Sequence, residues 1–221
     1  MAFFTQDYLD FFMELAANNH KNWFDANRKR YEKSVKLPFK AFTEAVIDAY
    51  FEGNEANKIQ SKDAIFRINR DIRFSNDKTP YKTQMSAIIS AGGKKDKTNP
   101  GLYFEMGPEH IRVYGGVYML EKEQLYAVRS YIANNQKAFS KAINDNQFLA
   151  TYGEIRGEKN KVLPKELSEA AKKQPLLFNK SFYYFTTLAP EMVTSDKLLE
   201  TVMEKYQAAR PVRQFLEKAL K

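Results

Sequence analysis

The 221-residue chain carries 35 Lys and Arg against 27 Asp and Glu, a net charge of +8, with 43% hydrophobic residues, no cysteine and two histidines. Disulfides, thiol nucleophiles, iron–sulfur clusters, cysteine zinc sites and histidine-rich metal centres are thereby excluded, while a carboxylate magnesium site stays open. The balance of apolar and charged residues is that of a folded chain long enough to bury a substantial core.

Residues Met1 to Asp7 have neither the basic start nor the apolar centre of a signal peptide. No apolar run exceeds four residues, against the ~20 needed to span a bilayer. The expectation is a cytoplasmic protein without a membrane partner.

In chain order, Tyr8, Phe11, Phe12 and Leu15 recur at i, i+3, i+4 and i+7 and predict an amphipathic helix, with Thr5 as N-cap and Asp7 in its positive first turn. Asn18 and Asn19 end it. A second helix, capped by Asn22, carries Phe24, Arg28, Tyr31 and Val35 along one face. Pro38 suits the first turn of a third, which turns Phe39, Phe42, Val46 and Tyr50 inward until Gly53. From Ala64 the period moves toward two, predicting a strand that runs into an irregular segment before Pro80.

Met85 to Ala91, Leu102 to Met106 and Ile111 to Tyr118 read as strands, the last two joined by a Gly107-Pro108-Glu109-His110 hairpin connection. Gly115-Gly116 marks a bulge or a close backbone approach. Helices return with Leu125, Val128 and Ile132, then Phe139 and Ile143. Tyr152 to Leu163 is ambiguous, and Lys180 to Thr187 is a strand. Ser195 caps a further helix, and Pro211 begins or kinks a last one. Strands cluster between helical regions without regular alternation. That order predicts an α+β fold, a mainly antiparallel sheet with N-terminal and C-terminal helices packed on it, as one domain over residues 1–221.

The densest chemistry lies between Phe66 and Lys82, where five cations (Arg67, Arg70, Arg73, Lys78, Lys82) alternate with two carboxylates, Asp71 and Asp77. Guanidinium forks and ammonium charges converging on one point would hold a phosphate, sulfate or carboxylate. Asp71 and Asp77 would orient them, and Ser75, Thr79 and Tyr81 would donate hydrogen bonds. The competing reading is an internal salt-bridge network that pins an irregular loop. A hydrolase or transferase using Asp71 or Asp77 as base and Tyr81 as acid is a further alternative, weakened because cations around a carboxylate lower its pKa. With Lys94, Lys95 and Lys97, the same region would also serve a nucleic-acid-binding module.

Other signatures are missing. The lysine of Lys97-Thr98 follows Asp96 where a phosphate loop needs glycine, and neither G-x-S-x-G nor H-E-x-x-H occurs. His20 and His110 fall in predicted turns, where solvated or capping roles are usual. Trp23, the sole tryptophan, reads as a core or hinge anchor. Phe182, Tyr183 and Tyr184 beside Lys180 have the look of a single-strand nucleic-acid surface, although strand alternation explains them as well. Nothing names a cofactor, a catalytic residue or an oligomeric state.

The run Arg67-x-x-Arg70-Asp71-x-Arg73-Phe74-Ser75-x-Asp77-Lys78-x-Pro80-Tyr81-Lys82 resembles the central signature of the domain-of-unknown-function (DUF) 2461 family. Asn18-Asn19 with Trp23-Phe24 and Tyr31 resemble its opening motif. Gly115 to Tyr118, Lys180 to Tyr183 and Ala209-Arg210-Pro211 resemble its later landmarks. The resemblance runs close to full length and implies a single α+β domain. It brings no activity, cofactor or catalytic residue with it.

Overall fold

A computed structural model of the chain describes residues 1–95 and 99–221, the side chain of Lys95 excepted. Four strands, β1 (Met85–Ile89), β2 (Leu102–Met106), β3 (Ile111–Val117) and β4 (Phe182–Leu188), form an antiparallel sheet in sequence order. The α+β expectation holds. Chain contacts divide into two compact units, 1–89 with 103–113 and 187–203, and 90–102 with 114–186 and 204–221.

The first unit begins with α1 (Asp7–Ala17) and α2 (Lys21–Ala26), followed by a short turn α3 (Arg28–Arg30). A π-helical turn, Tyr31–Lys36, then runs straight into α4 (Leu37–Tyr50). Pro38 therefore continues a helix where a new start was expected. It has no N–H to return to the preceding turn, and the widened π turn lies directly before it.

The expected caps are also corrected. Thr5 contributes its carbonyl, which accepts the Tyr8 N–H at 3.0 Å, and no side chain caps α1. Extended backbone at His20 places it, and not Asn22, at the start of α2, where Nδ1 accepts the Trp23 N–H at 3.3 Å.

The stripes of α1 and α4 meet β2 in an aromatic core. Phe39 and Phe42 lie 5.8 and 5.4 Å from Phe104, and Tyr8 donates to the Met106 carbonyl at 3.0 Å. Burying each such ring contributes about 1.5–3 kcal/mol. Trp23 packs at 5.5 Å on Phe11 as an anchor. A single turn, α5 (Ser61–Ala64), leads into the segment expected as a strand. Only isolated bridges form there, Ile65 to Ala87 and Asn69 to Tyr81.

The second unit contains α6 (Lys122–Asn134), α7 (Gln136–Ile143), α8 (Asn146–Tyr152) and α9 (Ser168–Lys173). Later in the chain follow α10 (Leu198–Ala208), shared between the two residue sets, and α11 (Arg210–Ala219). A capping box between Glu121 and Gln124 starts α6. Val128, Ile132, Phe139, Phe148, Phe182 and Phe215 are central to its apolar core. The ambiguous stretch after Tyr152 is largely irregular, with bridges from Arg156 to Tyr183 and from Lys159 to Asn179.

Gly115 and Gly116 are places of close approach. A Cβ on Gly115 would stand 2.6 Å from the Tyr184 ring, and one on Gly116 would stand 2.2 Å from the Phe182 carbonyl oxygen.

Candidate functional site

Phe66 to Lys82 folds back on itself as an irregular hairpin. Lys82 N–H donates to the Ile68 carbonyl at 2.8 Å, and Arg70 N–H to that of Pro80 at 2.9 Å. The paired arms form a base, and residues 71–79 form a tip.

At the tip both carboxylates are paired with arginines. Asp71 accepts Arg73 Nε at 2.9 Å, Nη2 at 2.7 Å and the Arg73 backbone N–H at 3.3 Å. Asp77 accepts the Thr79 N–H at 2.9 Å and its hydroxyl at 2.8 Å, and pairs with the Arg70 guanidinium, which also reaches the Thr79 hydroxyl. Each aspartate thus receives a backbone N–H two residues on, the Asx-turn arrangement that stabilises tight local loops. Lys78 Nζ donates across the loop to the Ile72 carbonyl at 3.0 Å.

These bonds stabilise the carboxylate form. Hydrogen bonding from Arg73 holds Asp71 at about 2, and the backbone N–H of Thr79, with Arg70, holds Asp77 at about 2. Neither is a competent general base near neutrality. A depressed folded-state value contributes stability above the unfolded carboxyl value near ~4, lost as pH falls through ~2. The tip is therefore expected to resist proteolysis unchanged from pH 7 to about 5 and to lose protection progressively from ~4 toward ~2. Acid-stable protease cleavage mapped to residues 71–79 tests this; protection that is flat across that window would contradict it.

At the base the pattern differs. Among the described residues, neither Arg67 nor Lys82 has a carboxylate within ion-pair distance, whereas Arg70 and Arg73 each have one. Arg67 is exposed. Lys82 is half-buried, its ammonium 5.6 Å from the centre of the Phe66 ring, and burial followed by repulsion from Arg67 lowers its pKa.

Tyr81 is buried and stacks on Phe24 with ring centres 4.1 Å apart. Its backbone N–H donates to Asn19 Oδ1 at 3.1 Å, and Asn19 Nδ2 returns a bond to its carbonyl at 2.9 Å. Asn19, Arg70, Asp77, Thr79, Lys82 and Gln84 line an open concavity of about 340 Å³.

The structure thus divides the predicted site residues. Arg70, Asp71, Arg73, Asp77 and Lys78 build the tip, Tyr81 anchors the hairpin, and among the described residues Arg67 and Lys82 have no carboxylate within ion-pair distance. Lys94 belongs to the other unit; Lys97 and the side chain of Lys95 lie outside the described residues.

A second polar cluster escaped the sequence reading. Glu105, buried on β2, accepts Gln84 Nε2 at 2.8 Å and the Tyr103 hydroxyl at 3.0 Å through Oε2. Its Oε1 lies 3.3 Å from His110 Nε2 and 3.7 Å from Arg112 Nη1. The solvated turn role expected for His110 is corrected, since its side chain is only 14% exposed. The available signal was alternation: Tyr103 and Glu105 have the opposite parity to the buried Leu102, Phe104 and Met106, and Arg112 lies between the buried Ile111 and Val113.

An α+β chain with a charge-interlocked hairpin and, at its base, two cations that have no ion-paired carboxylate among the described residues is the class that the geometry defines. Residues 7–215 match a family of conserved hypothetical proteins, DUF2461, and the chain belongs to it. No curated protein and no solved structure matches the chain. Among the described residues, no helix is long and apolar enough to cross a membrane.

Proposed function

We propose that the base of the hairpin binds a small anionic or phosphorylated ligand, with Arg67 and Lys82 supplying its charge. The supporting observation is the unequal pairing of the guanidinium and ammonium groups: Arg70 and Arg73 have carboxylate partners and Lys78 bonds the Ile72 carbonyl, whereas among the described residues Arg67 and Lys82 have no carboxylate within ion-pair distance. An anion would relieve the repulsion between them and offset the burial of the ammonium. Arg70, Asp71, Arg73, Asp77 and Lys78 act on this reading as the frame that fixes the loop, and Tyr81 as its anchor. A hydrolase or transferase based on Asp71 or Asp77 gains no support, because both are held far below neutrality.

A ligand at 100 times its dissociation constant stabilises the folded state by about 2.7 kcal/mol. For a chain of this size the melting temperature is expected to rise roughly 5–10 °C. A thermal-shift series with inorganic phosphate, nucleotides and sugar phosphates provides the test. Lys82→Met and Arg67→Gln are expected to abolish the shift while melting within ~2 °C of the parent. Flat curves for the parent across the whole series would overturn the proposal.

A further inference from the structure

Phe74 stands at the tip of the hairpin, 97% exposed. A large aromatic side chain left in water forgoes about 1.5–3 kcal/mol of burial, and its own loop offers a simple way to recover that by folding inward. The tip prevents this. Asp71 clasps Arg73 immediately before Phe74, Asp77 clasps Thr79 and Arg70 after it, and Lys78 ties the loop shut on the Ile72 carbonyl. The ring is held outward by a frame of charge-assisted bonds, with the Arg73 guanidinium 5.8 Å from its centre.

The surroundings indicate what meets that ring. The hairpin bears five cations against two carboxylates, on a chain of net charge +8. Arg73 and Lys78 are exposed beside Phe74, and Arg67 is exposed on the arm leading to it. An outward aromatic face set among cations offers a π-surface for a base and positive charge for the phosphates on either side. A purely apolar partner would leave those cations desolvated, whereas a polyanion with exposed rings satisfies both features.

We infer that Phe74 is a stacking element for an unpaired nucleobase and that the hairpin binds single-stranded nucleic acid. The stacking half rests on the geometry of the tip; the phosphate contribution of Arg67 and Lys82 rests on the anion-binding reading above. Recognition of this kind tolerates any sequence, because every base presents a π-face.

The test uses a fluorescein-labelled twelve-residue oligothymidylate and the full chain, with binding followed by anisotropy over a salt series. The parent protein is expected to bind, with a log–log salt slope of about −2 to −3 for three to four phosphate contacts. Phe74→Ala is expected to weaken binding roughly 5- to 150-fold, the equivalent of ~1–3 kcal/mol per stacked base, at unchanged slope. Phe74→Trp should restore affinity. Because the ring is 97% exposed and its contact with the exposed Arg73 guanidinium is a surface one, the melting temperature of both variants should stay close to that of the parent, so that a loss of binding is not a loss of fold.

Parent-like binding by Phe74→Ala would overturn the inference, as would failure of the parent to bind at 20 mM salt, on the order of a 20 Å Debye length. Thermal shift with inorganic phosphate on the same preparation separates the two readings. A phosphate response without oligothymidylate binding would retain the anion site and reject nucleic acid, leaving the ring to a protein partner.

Discussion

Glu105→Ala is expected to lower unfolding stability by about 3 kcal/mol, the low end for breaking a buried charge cluster, because Arg112 keeps partial access to water. Glu105 is 8% exposed, and its carboxylate is the common acceptor for Gln84 and Tyr103, with His110 and Arg112 facing its other oxygen. Its removal leaves polar groups from several segments of the first unit without their shared partner, and unsatisfied buried groups each cost about 1–3 kcal/mol. At ~2–4 °C per kcal/mol the melting temperature should fall roughly 6–12 °C. Glu105→Gln keeps the shape and one acceptor oxygen and should lose about half as much. A loss below ~1 kcal/mol in urea denaturation would mean that these groups do not depend on Glu105.

Gly116→Ala is expected to be comparably damaging for a different reason. The residue has φ near +94°, and its Cβ would meet backbone on the neighbouring strand, the Phe182 carbonyl oxygen at 2.2 Å and Tyr183 Cα at 2.8 Å. Backbone cannot swing aside as a side-chain end can, so β3 and β4 would have to separate locally. Overpacking and local strain together imply a loss of about 3 kcal/mol or more. Gly53→Ala is the internal comparison, with φ near +77° but nothing within 4 Å of the added carbon. It should lose only the conformational part, about 1 kcal/mol. Equal losses for the two would assign the effect to φ alone and dismiss the contact.

Much of the architecture could be read from the residues because it is set by local periodicity. The stripe of Tyr8, Phe11, Phe12 and Leu15 is buried as its spacing requires, and β2 begins and ends at the residues expected. Features that depend on a single backbone geometry were less legible. Asn22 is the better capping residue by type, yet His20 has the extended conformation that an N-cap needs.

The same distinction runs through the site. Asp71 and Arg73 are two residues apart, close enough for their pairing to be anticipated. The Arg70 to Asp77 pair exists only because the arms fold together. The Glu105 cluster draws on Gln84, Tyr103, His110 and Arg112, whose proximity comes from strand register and not from spacing along the chain. Charge density located the motif. It could not say which cations would remain without a carboxylate partner.

The amide of Asn19 has a consequence beyond anchoring. In the antiparallel arms, Lys82 and Arg70 bond inward to Ile68 and Pro80, so the N–H and C=O of Tyr81 point away from the hairpin. An outward pair of that kind is a docking template for any passing extended chain, the usual origin of edge-to-edge aggregation. Here a side chain 62 residues earlier supplies both the acceptor and the donor that an invading strand would offer. Asn19 is in effect a one-residue counterfeit strand. It closes the edge at Tyr81 without extending it, and so keeps this part of the hairpin from recruiting another chain.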